Sequence, residues 1–271
     1  MRATRAVLAW SLVVLVAATT SHAQTCAGLD GDTKKALYYL IDHWYAVGQV
    51  KSEDAEELQW AHKIMLRKGL DILPCLLEIY RHGVNGELWH GTGPAPTSGR
   101  WALPLIRAID GPSAIPLYRE LYSESADDLT RVQFASDLVA LGDLEHVSEV
   151  ASFLDGPPSV SPDRVPTFSA AVERALAAIS VQNYRAALPT LRKLATNDAI
   201  GNKHVLAVYI SQLSGDVEAV QAAVGDSRVR DTALLALRRM GKADVLRQIS
   251  EDRSNPAHEA AALALQGRLD R

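Results

Sequence analysis

Three segments of the chain open in the same way: LPCLLEIY (73–80), IPLYRELY (115–122) and LPTLRKLA (188–195). Each sets an aliphatic residue before a proline and places apolar residues two and five positions after it. Those residues are Leu76 and Ile79, Tyr118 and Leu121, and Leu191 and Leu194. Positions three apart share one face of a helix, so each segment carries a stripe that has to be buried. Proline in a helix interior costs about 3 kcal/mol. In the first turn its missing N–H is not needed, so these segments read as helix starts. Asp71 and Ser113 stand where an N-cap would place the proline three positions in, and the third copy has no cap at that offset.

The same spacing without proline occurs at VSEVASFL (147–154), VEAVQAAV (217–224) and DVLRQI (244–249), so copies recur every 26 to 42 residues. Between them lie further helical segments, many rich in alanine: FASDLVALG (134–142), FSAAVERALAAIS (168–180), HVLAVYISQLSG (204–215), DTALLALRRMG (231–241) and HEAAALALQG (258–267). In DTALLALRRMG, residues Ala233, Ala236, Leu237 and Met240 recur at helix-face spacing. Asn255-Pro256 reads as a cap followed by proline at the first helical position. The alternation of strands is nearly absent. The expected fold is therefore all-α, built from helix pairs at a loose period, the pattern of an α-α superhelix. An irregular helical bundle is the alternative.

These pairs resemble the HEAT repeat family, and more closely the short phycobilisome-lyase-type HEAT-like repeats. VRDTALLALRRMGKADVLRQI (229–249) is similar to one such repeat, with Gly241 at its turn, and the resemblance spans roughly residues 52–269. It implies an α-solenoid that binds other proteins along its surface, and it implies no catalytic residue and no cofactor. The branch resembling deoxyhypusine hydroxylase holds iron with repeated His-Glu pairs, and here only His258-Glu259 has that order. The branch resembling DNA glycosylases needs a basic groove. A bilin-lyase role does not suit an exported chain.

Export is expected from the N-terminus. Arg2 and Arg5 precede the apolar stretch 6–18, and Ser21-His22-Ala23 ends in small residues at the positions a signal peptidase reads. Residues 1–23 then form a signal peptide, with an uncleaved anchor as the alternative. The apolar stretch is short for a membrane span, so none is expected after cleavage. Loss of two arginines leaves 26 basic and 32 acidic residues, a net charge of −6. No basic stripe stands out, so nucleic acid is not an expected partner. The destination is periplasmic or extracellular. In such a compartment Cys26 and Cys75 most simply pair in a disulfide; a buried free pair or a reactive thiol are the alternatives.

The mature tryptophans, Trp44, Trp60, Trp89 and Trp101, all lie in the first third, with Tyr38, Tyr39, Tyr45, Tyr80 and His43, His62, His82, His90. Residues 24–100 are read as an aromatic N-terminal helical cap and 101–271 as the repeats. The cap ends in GVNGELWHGTGPAPTSGR (83–100), with five glycines and two prolines. A connection of that length suggests a site, so Trp89, His90, Arg100 and Trp101 are the candidate ligand-binding residues. The histidine spacings match no metal motif, and no metal is expected. Two functions follow. One is an exported, non-catalytic protein-protein interaction module. The other is an extracytoplasmic all-α hydrolase or ligand-binding protein with its site in the aromatic third, where Asp42 and His43 would be a geometrically poor dyad.

Overall fold

The computed structural model describes residues 26, 28–43, 52–84, 99–156, 161, 164–197, 202–267 and 269. The expected signal peptide 1–23, Trp44, Trp89, His90 and residues 85–98 of the long connection lie outside them. Among the described residues every regular element is a helix, so the fold is all-α. No helix among them is long and apolar enough to cross a membrane.

The chain forms two compact units, divided between Gly111 and Pro112. The first contains α1 (Gly31–His43), α2 (Ser52–Lys68), α3 (Leu73–His82) and α4 (Leu103–Asp110). Helix α1 packs on α2, α3 on α4, and α2 on α4. The division places Trp101 and α4 with the N-terminal unit, eleven residues beyond the boundary read from the sequence at residue 100. The Asp30 side chain starts α1 by accepting the Thr33 N–H at 2.9 Å and pairs with Lys68 of α2 at 2.5 Å. Leu37, Ile41, Met65, Ile72, Leu76, Ile79 and Ile106 are fully buried. Each such side chain contributes roughly 1.5–3 kcal/mol.

The second unit contains five successive helix pairs: α5 (Ile115–Glu124) with α6 (Asp128–Leu141), α7 (Val147–Asp155) with α8 (Val165–Val181), α9 (Leu188–Ala195) with α10 (Lys203–Ser214), α11 (Val217–Ala223) with α12 (Arg230–Arg239), and α13 (Ala243–Glu251) with α14 (His258–Leu265). Within each pair the two helices touch. The second member of each pair also packs on the second member of the next, from α6 through α8, α10 and α12 to α14. One core cluster runs from Leu129 to Leu213 and another from Val208 to Ala264, so α10 contributes to both. All six stripe residues of the three proline-bearing segments are buried.

The proline-bearing helices start differently from the sequence reading. Neither Asp71 nor Ser113 acts as a cap; the N-cap positions are Ile72 and Ala114, with no side-chain bond. Each of these helices instead follows directly on a 3₁₀ turn: Gly69–Asp71, Gly111–Ala114 and Arg185–Ala187. The turn's own i→i+3 bonds, such as Ile72 N–H to Gly69 O at 3.3 Å and Ala187 N–H to Tyr184 O at 3.1 Å, satisfy the donors just ahead of the helix, so backbone and not a side chain leads into it. A further copy, Leu103-Pro104 after the turn Arg100–Ala102, opens α4 in the same way. Asn255-Pro256 also lies before its helix rather than in it. Asn255 Oδ1 accepts the Ala257 N–H at 2.9 Å, and α14 begins at His258. Asp127, Asp143 and Asp216 are true side-chain caps, ahead of α6, the 3₁₀ turn Leu144–His146 and α11.

Candidate functional site

In the N-terminal unit, the Cys26 and Cys75 sulfurs are 2.09 Å apart, a disulfide that ties the chain preceding α1 to the first turn of α3. Both cysteines are buried, and no free cysteine remains. Cys75 is thus a packed anchor and not a nucleophile.

The long connection leaves and rejoins the fold at the same place. Gly83 ends α3 with a left-handed φ of 76°, its N–H bonded to Ile79 O. Gly99 lies directly against the same turn. A Cβ built on Gly99 would stand 2.0 Å from Ile79 O and 2.4 Å from Tyr80 Cα, so only glycine allows this backbone contact. The two described members of the expected ligand set then part company. Arg100 is exposed, while Trp101 is only 3% exposed and belongs to the core. The Trp101 indole Nε1 is buried without a hydrogen-bond partner. Of the pair read as a geometrically poor dyad, Asp42 is exposed, and His43 donates from Nδ1 to Tyr39 O at 2.9 Å while its ring stacks on Tyr39.

The second unit holds a denser polar arrangement, which joins successive helix pairs. Arg164 bonds Asp127, Arg174 Nη1 donates to Asp137 Oδ2 at 3.1 Å, and Lys193 Nζ donates to Asp155 Oδ1 at 3.1 Å. The three sequence separations are 37, 37 and 38 residues. Other bonds between the same pairs span 34 residues (Gln133 to Thr167), 43 (Gln182 to Val139) and 29 (Asn202 to Glu173). Further along, the Ser180 hydroxyl donates to Gln212 Oε1 at 2.7 Å, and Gln212 Nε2 returns a bond to Ser180 O at 2.8 Å. Arg239 of α12 donates to Ser180 Oγ of α8 at 2.9 Å, so it reaches across α10. It also bonds Tyr209 of α10, whose hydroxyl pKa burial pushes up.

A second cluster surrounds the turn from α6 to α7. Arg119 Nε donates to Asp143 Oδ2 at 2.7 Å and lies 3.7 Å from Glu145. This guanidinium holds the Asp143 carboxyl below its ordinary pKa. Tyr122 donates to Glu149 Oε2 at 2.7 Å, which raises the Tyr122 pKa, and His146 Nδ1 lies 3.5 Å from the same oxygen. Asp143, Glu145 and His146 could converge on a cation. Arg119 already supplies a positive charge to both carboxylates, so the cluster is satisfied without one.

The sequence reading missed this network. Its signal was available in Asp127, Asp137 and Asp155, each facing a base 37 or 38 residues on, but the uneven helix spacing concealed it. No family model, no curated protein and no solved structure matches the chain.

Proposed function

We propose that the chain is an exported, non-catalytic α-solenoid of HEAT-like helix pairs that serves as a protein-protein interaction module. The observation that carries this reading is the row of second helices, each packed on the next from α6 through α8, α10 and α12 to α14. A chain whose like elements each pack on the next stacks by repetition, and stacked second helices make an extended surface of the kind that repeat proteins use for binding. Export is supported by the N-terminal sequence pattern and by the disulfide, which persists in oxidising compartments.

The test is photo-crosslinking in the native cell envelope. A photoreactive residue is placed at Glu173, Ala207 or Arg238 on exposed positions of second helices, and at Glu120, Arg192 or Arg247 on exposed positions of first helices. The proposal expects one discrete protein adduct from one of these rows and not from the other. Adducts distributed evenly over both rows, or none in the envelope, would refute it.

A further inference from the structure

The charge of the second unit is unevenly distributed along its length. Residues 112–155, which hold α5 to α7, carry nine carboxylates against two arginines, Arg119 and Arg131. Residues 185–247 carry ten lysines and arginines against six carboxylates. The acidic end is compatible with a compact fold because bases are brought to it. Arg164, Arg174 and Lys193, all from later in the chain, meet Asp127, Asp137 and Asp155. Arg119 meets Asp143 and Glu145, and Arg131 lies 3.0 Å from Asp128 and 3.9 Å from Glu149.

Two of these carboxylates are withdrawn from water, the Asp137 side chain being 5% exposed and that of Asp143 6%. Exposed ion pairs contribute little, whereas breaking a buried one leaves an uncompensated charge. Aliphatic packing also joins α6 and α7 to α8, α9 and α10, through the cluster from Leu129 to Leu213. Ser180 and Gln212 exchange two bonds between α8 and α10, and the aliphatic cluster from Val208 to Ala264 joins α10 to α14.

We infer that the second unit carries an acid-released clasp: protonation of the carboxylates on α5 to α7 loosens this end from α8 and α9 while α10 to α14 stay folded. Once the carboxylates are neutral, Arg119, Arg131, Arg164, Arg174 and Lys193 remain as a group of unopposed cations. His146 lies on the same turn, its Nδ1 3.5 Å from Glu149. Tyr122 faces Glu149 and stays neutral throughout this range. The carboxyls of Asp127 and Asp143 are both depressed, the first mainly by the Thr130 N–H and the second mainly by Arg119. Their contribution to stability is therefore fully present above the ordinary carboxylate value of about 4, and is lost as the pH falls through their lower folded values.

Hydrogen exchange by mass spectrometry on the whole mature protein tests this, at about pH 7, 4 and 2.5, with rates corrected for intrinsic exchange. The expected result at the lowest pH is at least a tenfold loss of protection in 128–155 relative to 204–265. Simultaneous loss in both segments, earlier loss in 204–265, or no loss in either, overturns the inference. The double variant Asp137→Asn/Asp143→Asn should loosen 128–155 at pH 7. Should it fail to fold, Arg174→Met is read instead, and unchanged protection of 128–155 in that variant counts against the clasp.

Discussion

Opening the Cys26–Cys75 bond should destabilise the first unit and leave the second unit's own transition in place. The bridge closes a loop with a sequence separation of 49 residues, entirely within the first unit. Chain-entropy arithmetic for a loop of about 50 residues gives about 4 kcal/mol at 25 °C. For a unit of this size that corresponds to a fall in Tm on the order of 20 °C. The molecule supplies its own reporters, because every tryptophan of the chain precedes Gly111. Indole fluorescence therefore follows the first unit alone, while far-UV circular dichroism follows the helices of both. Thermal melts are compared for the oxidised protein, for the reduced and alkylated protein, and for Cys26→Ala/Cys75→Ala. The fluorescence midpoint should fall steeply in the last two, with a later dichroism transition unmoved. Equal fluorescence midpoints with and without the bridge would refute the loop-entropy argument. An equal fall in every signal would show that the two units melt as one.

Leu191→Ala removes a fully buried side chain from the core between α6 and α10 and should cost about 2–5 kcal/mol, read by chemical denaturation with circular dichroism. Gly99→Ala drives a methyl into the backbone of α3, and a loss of about 3 kcal/mol is expected in the fluorescence-detected transition. Asn183 is left-handed, with φ 49°, and buries an Oδ1 atom that has no partner. Asn183→Gly should therefore raise stability by about 1 kcal/mol in the same dichroism assay, and Asn183→Ala should lower it by a similar amount.

The helices and their buried faces were legible because periodicity is a local property. Leu76, Tyr118 and Leu191 announce their burial through neighbours three residues away, and all three are core residues. The helix starts were half legible. Leu-Pro and Ile-Pro marked the right places, but the choice between a side-chain cap and a 3₁₀ turn depends on the preceding three residues as a group. A single aspartate such as Asp71 could not decide it. Cys26 and Cys75 could be paired because only two cysteines were on offer. The burial of Trp101 was not legible: it stands two residues after Gly99, which meets α3 backbone to backbone, a contact that leaves no pattern in side-chain chemistry. The polar network was hidden for a related reason: an aspartate that meets an arginine 37 residues away looks, in sequence, like any solvated charge.

The separations of these bonds bear on how such a chain can change over generations. Asp127 and Asp137 each meet a base 37 residues on, Ser180 meets Gln212 32 residues on, and Gln182 reaches back 43 residues to Val139. Each junction between helix pairs is thus fitted to its own neighbours, so a pair copied or lost whole would set unmatched side chains against one another. Change in this half of the molecule is expected to come by substitution within a junction, not by exchange of whole pairs.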